Sequence, residues 1–223
     1  MNKFHPGQVK LADYVAGNLS YHETLMVAVH LHYCPACARA AKELEALGGV
    51  LLDDLPGEPV SDEVLNATLQ SILVENHTQS VSPAGVSTTP RKALFQDPEV
   101  PDPLNKLIPK GFNALPWRKL LPHLQVCDIE LSPDGPKISL HRIRPGGRIP
   151  RHTHRGSEFT VVLKGGFSDA LGDYDTGDYL HRDAQHEHEP VAAESEECIC
   201  LTVTENPLKM TSWKWRWLNP FLS

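Results

Sequence analysis

The chain has 223 residues, 40% of them hydrophobic, and a formal net charge of −7, long enough for two modest domains each with its own core. No apolar run approaches the length of a membrane span, and the opening "MNKFHPGQVKLADYVAG" lacks the apolar stretch of a secretory signal. Five cysteines, an odd number, argue against a disulfide framework and for a reducing, cytoplasmic setting with thiols free or metal-bound.

Ten acidic and four basic residues lie within positions 1–80, a net of −6. That third of the chain is repelled by phosphate backbones and attracted to basic protein surfaces, which disfavours direct nucleic-acid binding. Four helices are predicted in it. "VKLADYVAG" is stopped by Gly17, and Ser20 caps "YHETLMVAVHLHY". Cys34-Pro35 ends that second helix, because the residue before proline is pushed out of helical geometry, and Pro35 opens a third running to about Leu52. Ser61 and its acidic neighbours open a fourth, Asp62 to Glu75. Its apolar residues Val64, Leu65, Leu69, Ile72 and Leu73 make a face suited either to completing a helical bundle or to lying in a groove of a partner.

From Asn76 the texture changes to a polar Ser/Thr/Gly/Pro segment, and closely spaced prolines from Pro98 to Pro122 forbid long helices. Beyond them "QVCDIEL", "KISLHRI", "EFTVVLKG" and "CICLTVT" read as strands of a small antiparallel barrel or sandwich. The expected architecture is multidomain α + β, with a helical domain at 1–78, a linker at 79–92 and a β domain at 93–223.

Two clusters carry chemistry. In "HLHYCPACARA", His30, Cys34 and Cys37 form H-x3-C-x2-C across the junction of helices two and three. His30 and Cys34 share one side of a helix, and Cys37 lies in a first turn whose positive dipole end favours a thiolate. One imidazole and two thiolates suit zinc, and a closed site needs a fourth ligand. His22 is two turns from His30, about 12 Å along the axis, and too far. His32 points nearly opposite. His5, ahead of the first helix, can swing in and is preferred, with His32 second. A thioredoxin-like redox pair would follow a strand, and here the preceding segment is helical.

The second cluster, from Gly146, reads G-x5-H-x-H-x3-E-x6-G, with His152, His154, Glu158 and Gly165 in register. Residues two apart on a strand face one way, so His152 and His154 point together. This is similar to the first motif of the cupin superfamily, the double-stranded β-helix barrels. The second cupin motif ends in a histidine eleven residues after a glycine, and from Gly177 that position is His188. Asp183 and Gln185 stand where that motif has proline and glycine, leaving His186 as a rival. Three imidazoles and one carboxylate accept zinc or another divalent transition metal.

A helical H-x3-C-x2-C segment joined to such a barrel resembles the ChrR family of zinc-dependent anti-sigma factors. The likeness runs over essentially the whole chain: His5, the His30/Cys34/Cys37 set, "ALGGVLL", the barrel set and "EHEPVAAESEECICL". It implies a zinc-binding helical bundle that sequesters an RNA polymerase sigma factor of the extracytoplasmic-function type. It also implies a C-terminal cupin barrel needed for release of sigma in response to singlet oxygen or organic peroxide. On that reading the protein is a regulator, not an enzyme, it contacts neither nucleic acid nor membrane, and a homodimer through the cupin domain is open to it. The competing reading is a dioxygenase-like cupin metalloenzyme with a helical accessory domain, in which Arg144, Arg148 and Tyr174 line a pocket. Two further features are given plain structural roles: the tryptophans of "WKWRW", Trp213 to Trp217, cover the barrel, and Cys198 and Cys200 are buried inert thiols.

Overall fold

The computed structural model describes residues 2–78, 97–130, 135–206, 209–211 and 213. The expected linker at 79–92 and the tryptophan stripe beyond Trp213 lie outside the described residues, and Trp213 itself is exposed. The helices are α1 (Gln8–Val15), α2 (Tyr21–Tyr33), α3 (Pro35–Asp53) and α4 (Asp62–Thr78). Gly17 follows α1 at φ +72°, a conformation glycine adopts without cost. Ser20 and Glu23 form a reciprocal capping box on α2, and Cys34 leaves helical geometry at φ −113°, ψ 94° ahead of Pro35.

The strands are β1 (Arg118–Leu121), β2 (Leu124–Glu130), β3 (Lys137–Ile143), β4 (His152–Thr153), β5 (Glu158–Lys164), β6 (Gly166–Asp169), β7 (Gly172–Asp175), β8 (Tyr179–Arg182), β9 (Glu187–His188), β10 (Val191–Ala192), β11 (Cys198–Thr204) and β12 (Lys209–Met210). They form a six-stranded sheet β1-β2-β3-β11-β5-β8 and two three-stranded sheets, β10-β6-β7 and β12-β4-β9, with antiparallel pairing throughout. The short strands β4, β6 to β10 and β12 carry too little alternation to be read from sequence.

Residues 1–46 and 95–223 form one unit and residues 47–94 a second. Composition placed the divisions at 78 and 93. Packing groups α1, α2 and the start of α3 with the strands instead. The reason lies in the large sheet, which is buried on both faces. Val126, Ile143, Val162, Leu180, Cys198 and Cys200 face inward against Phe167, Tyr174 and Ala192 of the β10-β6-β7 sheet. Ile138, Leu140, Phe159, Val161, Leu163, Ile199 and Leu201 face outward onto Leu11 of α1 and Leu25, Met26 and Val29 of α2. Val100, Leu104, Ile108 and Phe112, from the proline-rich stretch, close the same layer. A sheet covered on two sides needs apolar residues at successive positions, and β5 and β11 are buried at every position except their last.

In the second unit, the described residues are the end of α3, the connection at 54–61 and α4. Leu47, Val50, Leu51 and Leu52 of α3 are exposed, as are Val64, Leu65, Leu69, Ile72 and Leu73 of α4.

Candidate metal centres

The junction of α2 and α3 presents Cys34 and Cys37, α2 presents His30, and the segment before α1 brings in His5. Their ligand atoms all lie within 4.8 Å of one another. His5 Nδ1 is 3.3 Å from Cys37 Sγ, 3.6 Å from Cys34 Sγ and 3.4 Å from His30 Nε2. His32 is turned away, with its Nδ1 3.9 Å from Asp102. The Cys37 thiol departs from the expected dipole effect. Burial first, and then the neighbouring Cys34, push it up to about 12. The helix end cannot offset withdrawal from water beside a second sulfur, so a thiolate here requires a cation close by.

His30 Nδ1 lies 2.7 Å from the carbonyl oxygen of Gly177, in the turn between β7 and β8. A carbonyl only accepts, so Nδ1 carries the proton and the Nε2 lone pair faces the cluster. Burial, the largest influence, lowers the pKa of His30 and keeps it neutral. The carbonyl thus aims the imidazole as a ligand, a support residue for which the sequence carried no signal.

In the barrel, pairing of β4 with β9 sets His152 directly opposite His188. His154 follows two residues on, and the three imidazoles converge. His188 Nε2 is 3.0 Å from His152 Nε2 and 3.2 Å from His154 Nε2. Glu158, at the start of β5, reaches to 3.4 Å from His154 Nε2 but stands outside the tight triad. The rival His186 is bound to Asp183 at 2.8 Å and takes no part.

The outward nitrogens show what the triad is built for. His152 Nδ1 meets the Pro150 carbonyl at 2.9 Å, and His188 Nδ1 meets Asp169 Oδ2 at 3.1 Å. Both must carry protons there, so their Nε2 lone pairs point at each other at hydrogen-bond distance with no proton between them. Burial, the dominant cause, drives the pKa of His152 down to about 3 and that of His154 to about 4, so protonation does not relieve the clash. Burial likewise pushes Glu158 up to about 8. His154 Nδ1 is buried without a partner among the described residues. Converging lone pairs in a buried site fit a cation, and this donor set suits a divalent transition metal.

Asp169 went unnoticed in the sequence, where it is one turn acid among several. Its carboxylate is fully buried and accepts from Tyr174 Oη at 2.9 Å and the Leu171 amide at 2.8 Å, with Arg182 at 3.7 Å. Tyr174 is therefore a buried structural residue, and Arg144 and Arg148 are exposed. This corrects the expectation that these three line a pocket: the arginines flank a surface turn, and the tyrosine is held in the core by its hydroxyl. Cys198 and Cys200 are buried with sulfurs 3.5 Å apart.

The ChrR cupin-like domain model matches residues 108–208. Over 220 residues the chain is 33% identical to the anti-sigma-E factor ChrR of Cereibacter sphaeroides, covering 98% of this chain and 97% of that one. The crystal structure of Rhodobacter sphaeroides SigE in complex with the anti-sigma ChrR superposes with a TM-score of 0.74 at 29% identity, covering 92% of this chain and all of that one. The fold is thus a set of N-terminal helices followed by a cupin barrel, and the His/Cys cluster has the donor set and spacing of a group that could hold a metal ion. Likeness of this degree along nearly the full length of both chains places the protein in the ChrR family.

Proposed function

We propose that the protein is an anti-sigma factor. It holds a sigma factor of the extracytoplasmic-function type through helices stabilised by zinc at His5, His30, Cys34 and Cys37. Its cupin barrel, with a divalent metal at His152, His154, His188 and Glu158, serves as the sensor of oxidative stress. The observation that carries this reading is similarity to an anti-sigma factor over 98% of the chain, joined to a ligand set in each part. Zinc would supply a redox-inert cross-link between the N-terminal segment and the α2–α3 junction. The docking surface is assigned to the exposed apolar faces of α3 beyond Ala46 and of α4, on an acidic third of the chain suited to a basic partner. No helix among the described residues is long and apolar enough to cross a membrane, in keeping with a place beside RNA polymerase in the cytoplasm. With Arg144 and Arg148 at the surface, the regulatory reading is preferred over a cupin enzyme.

Co-expression with an extracytoplasmic-function sigma factor from the same genome tests this directly. The two proteins are expected to copurify with zinc bound, and Cys37→Ala is expected to lose zinc and sigma together. Failure of the wild-type chain to bind any such sigma factor would end the anti-sigma reading. Sigma binding retained by a zinc-free Cys37→Ala chain would remove the metal from it.

A further inference from the structure

The two metal-binding groups are joined by a short run of contacts through the N-terminal segment. His188 of the barrel triad rests on Asp169 at 3.1 Å, and Asp169 accepts from the Tyr174 hydroxyl at 2.9 Å. The Tyr174 ring packs on that of Phe4, with centroids 4.8 Å apart. The next residue is His5, the ligand that completes the helical group.

The segment is also tied down by its backbone. Asp178, with no exposed surface, accepts from the amides of Lys3 at 2.8 Å and Phe4 at 3.3 Å. The Tyr179 amide donates to the Phe4 carbonyl at 3.1 Å, so residues 3 and 4 lie along the start of β8. Beside Asp178 is Gly177, whose carbonyl aims His30. It sits at φ +91°, and a Cβ there would come within 2.4 Å of Asn2 and 2.5 Å of Tyr33. One turn of the barrel therefore positions two of the four helical ligands, with no room to shift under them.

Building on the assignment of a metal to each group, we propose that residues 2–5 form a strap that couples them. Asp169, Tyr174 and Phe4 transmit the state of the barrel triad to His5, and Asp178 and Gly177 are positioning residues for His5 and His30. Displacement of His188 takes a donor from Asp169, whose carboxylate then re-seats against Tyr174 and Arg182 and shifts the ring that holds Phe4. A strap that lifts carries His5 with it and leaves a three-ligand group, which exchanges its metal more readily than a closed one. Such coupling is reciprocal: metal held at either group tightens the other.

Cobalt isolates the helical group, because only a thiolate ligand gives it a near-ultraviolet charge-transfer band. The measurement is the rate at which full-length protein loses that band to excess EDTA. His188→Gln is expected to speed the loss about tenfold, a coupling of ordinary size. Tyr174→Phe keeps the ring and removes the hydroxyl link, while Phe4→Ala removes the ring contact and replaces no metal ligand. In either background the His188→Gln effect should shrink to near unity. Wherever His188→Gln loses its native circular dichroism, His152→Gln replaces it. Equal rates in wild type and His188→Gln, or fold-changes that multiply in the double variants, would overturn the strap while leaving the metal assignments standing. Absence of the thiolate band from the wild type would overturn the helical metal group and the coupling together.

Discussion

A histidine is readied as a metal ligand when its other nitrogen is committed elsewhere. The Pro150 carbonyl and the Asp169 carboxylate do this for His152 and His188, and the Gly177 carbonyl does it for His30. In each case the proton is held outward and a lone pair is left facing the cluster, in surroundings where burial disfavours the imidazolium. Asp169 is the one charged support among them, and it raises the basicity of His188 as well as orienting it. Asp169→Asn should lower the affinity of the barrel for a divalent ion about 10- to 100-fold, as such outer partners ordinarily do. Chelator competition on the purified protein measures it, and an unchanged affinity would leave Asp169 a packing role alone.

Among the elements, α2 is the one on which the core of the fold and the helical His/Cys cluster meet. Its apolar side covers the outer face of the large sheet, its last turn carries His30, and its N-terminus is closed by Ser20 and Glu23. Glu23 also bonds Lys10 at 2.6 Å, which ties α1 to α2. The hydrogen bond from Lys10 is the largest effect on the Glu23 carboxyl, followed by an opposing contribution from burial and then the bond to Ser20, and the net result lies below the ordinary 4.5. A depressed carboxyl stabilises the fold above its unfolded pKa, and the benefit disappears as pH falls through the lowered folded value. Denaturant unfolding across pH 3 to 7 should therefore show Glu23→Gln less stable at neutral pH by under about 1 kcal/mol, since the pair is partly solvated. The gap should close below about pH 4.5. A constant gap across that range would assign the loss to the cap geometry, not the charge.

At the scale of the whole molecule, the chain separates a well-packed unit carrying both candidate metal groups from a segment that displays apolar surface. Leu47, Val50, Leu51, Leu65 and Leu69 are each about half exposed or more, at 47% to 60%. Exposed apolar side chains on α3 and α4 are the surface that the proposed docking to a sigma factor would use. Leu69→Asp should weaken capture of the sigma factor about tenfold or more, as loss of a central apolar anchor does. Its thermal stability should change little, because the side chain is already in water. Full sigma binding by that variant would move the docking surface away from α4.

Much of this protein can be read from its residues in order. Capping by Ser20, the Cys34-Pro35 break and helical spacing placed the helices within a few residues, because these signals act between neighbours in the chain. The donor types His, Cys and Glu, at spacings set by one helical turn or one strand alternation, picked out both clusters for the same local reason. Tertiary structure decided the rest. His5 and His30 are 25 positions apart, and His152 and His188 are 36 apart. Only a barrel turn pressed on α2 and a strand pairing put these residues face to face. Helices α1 and α2, which looked like part of a separate domain, cover the outer face of the large sheet, since a sheet apolar on both sides must bury both. Asp169, Gly177 and Asp178 matter through the groups they meet across the fold. A chain read one residue after another holds no trace of that meeting.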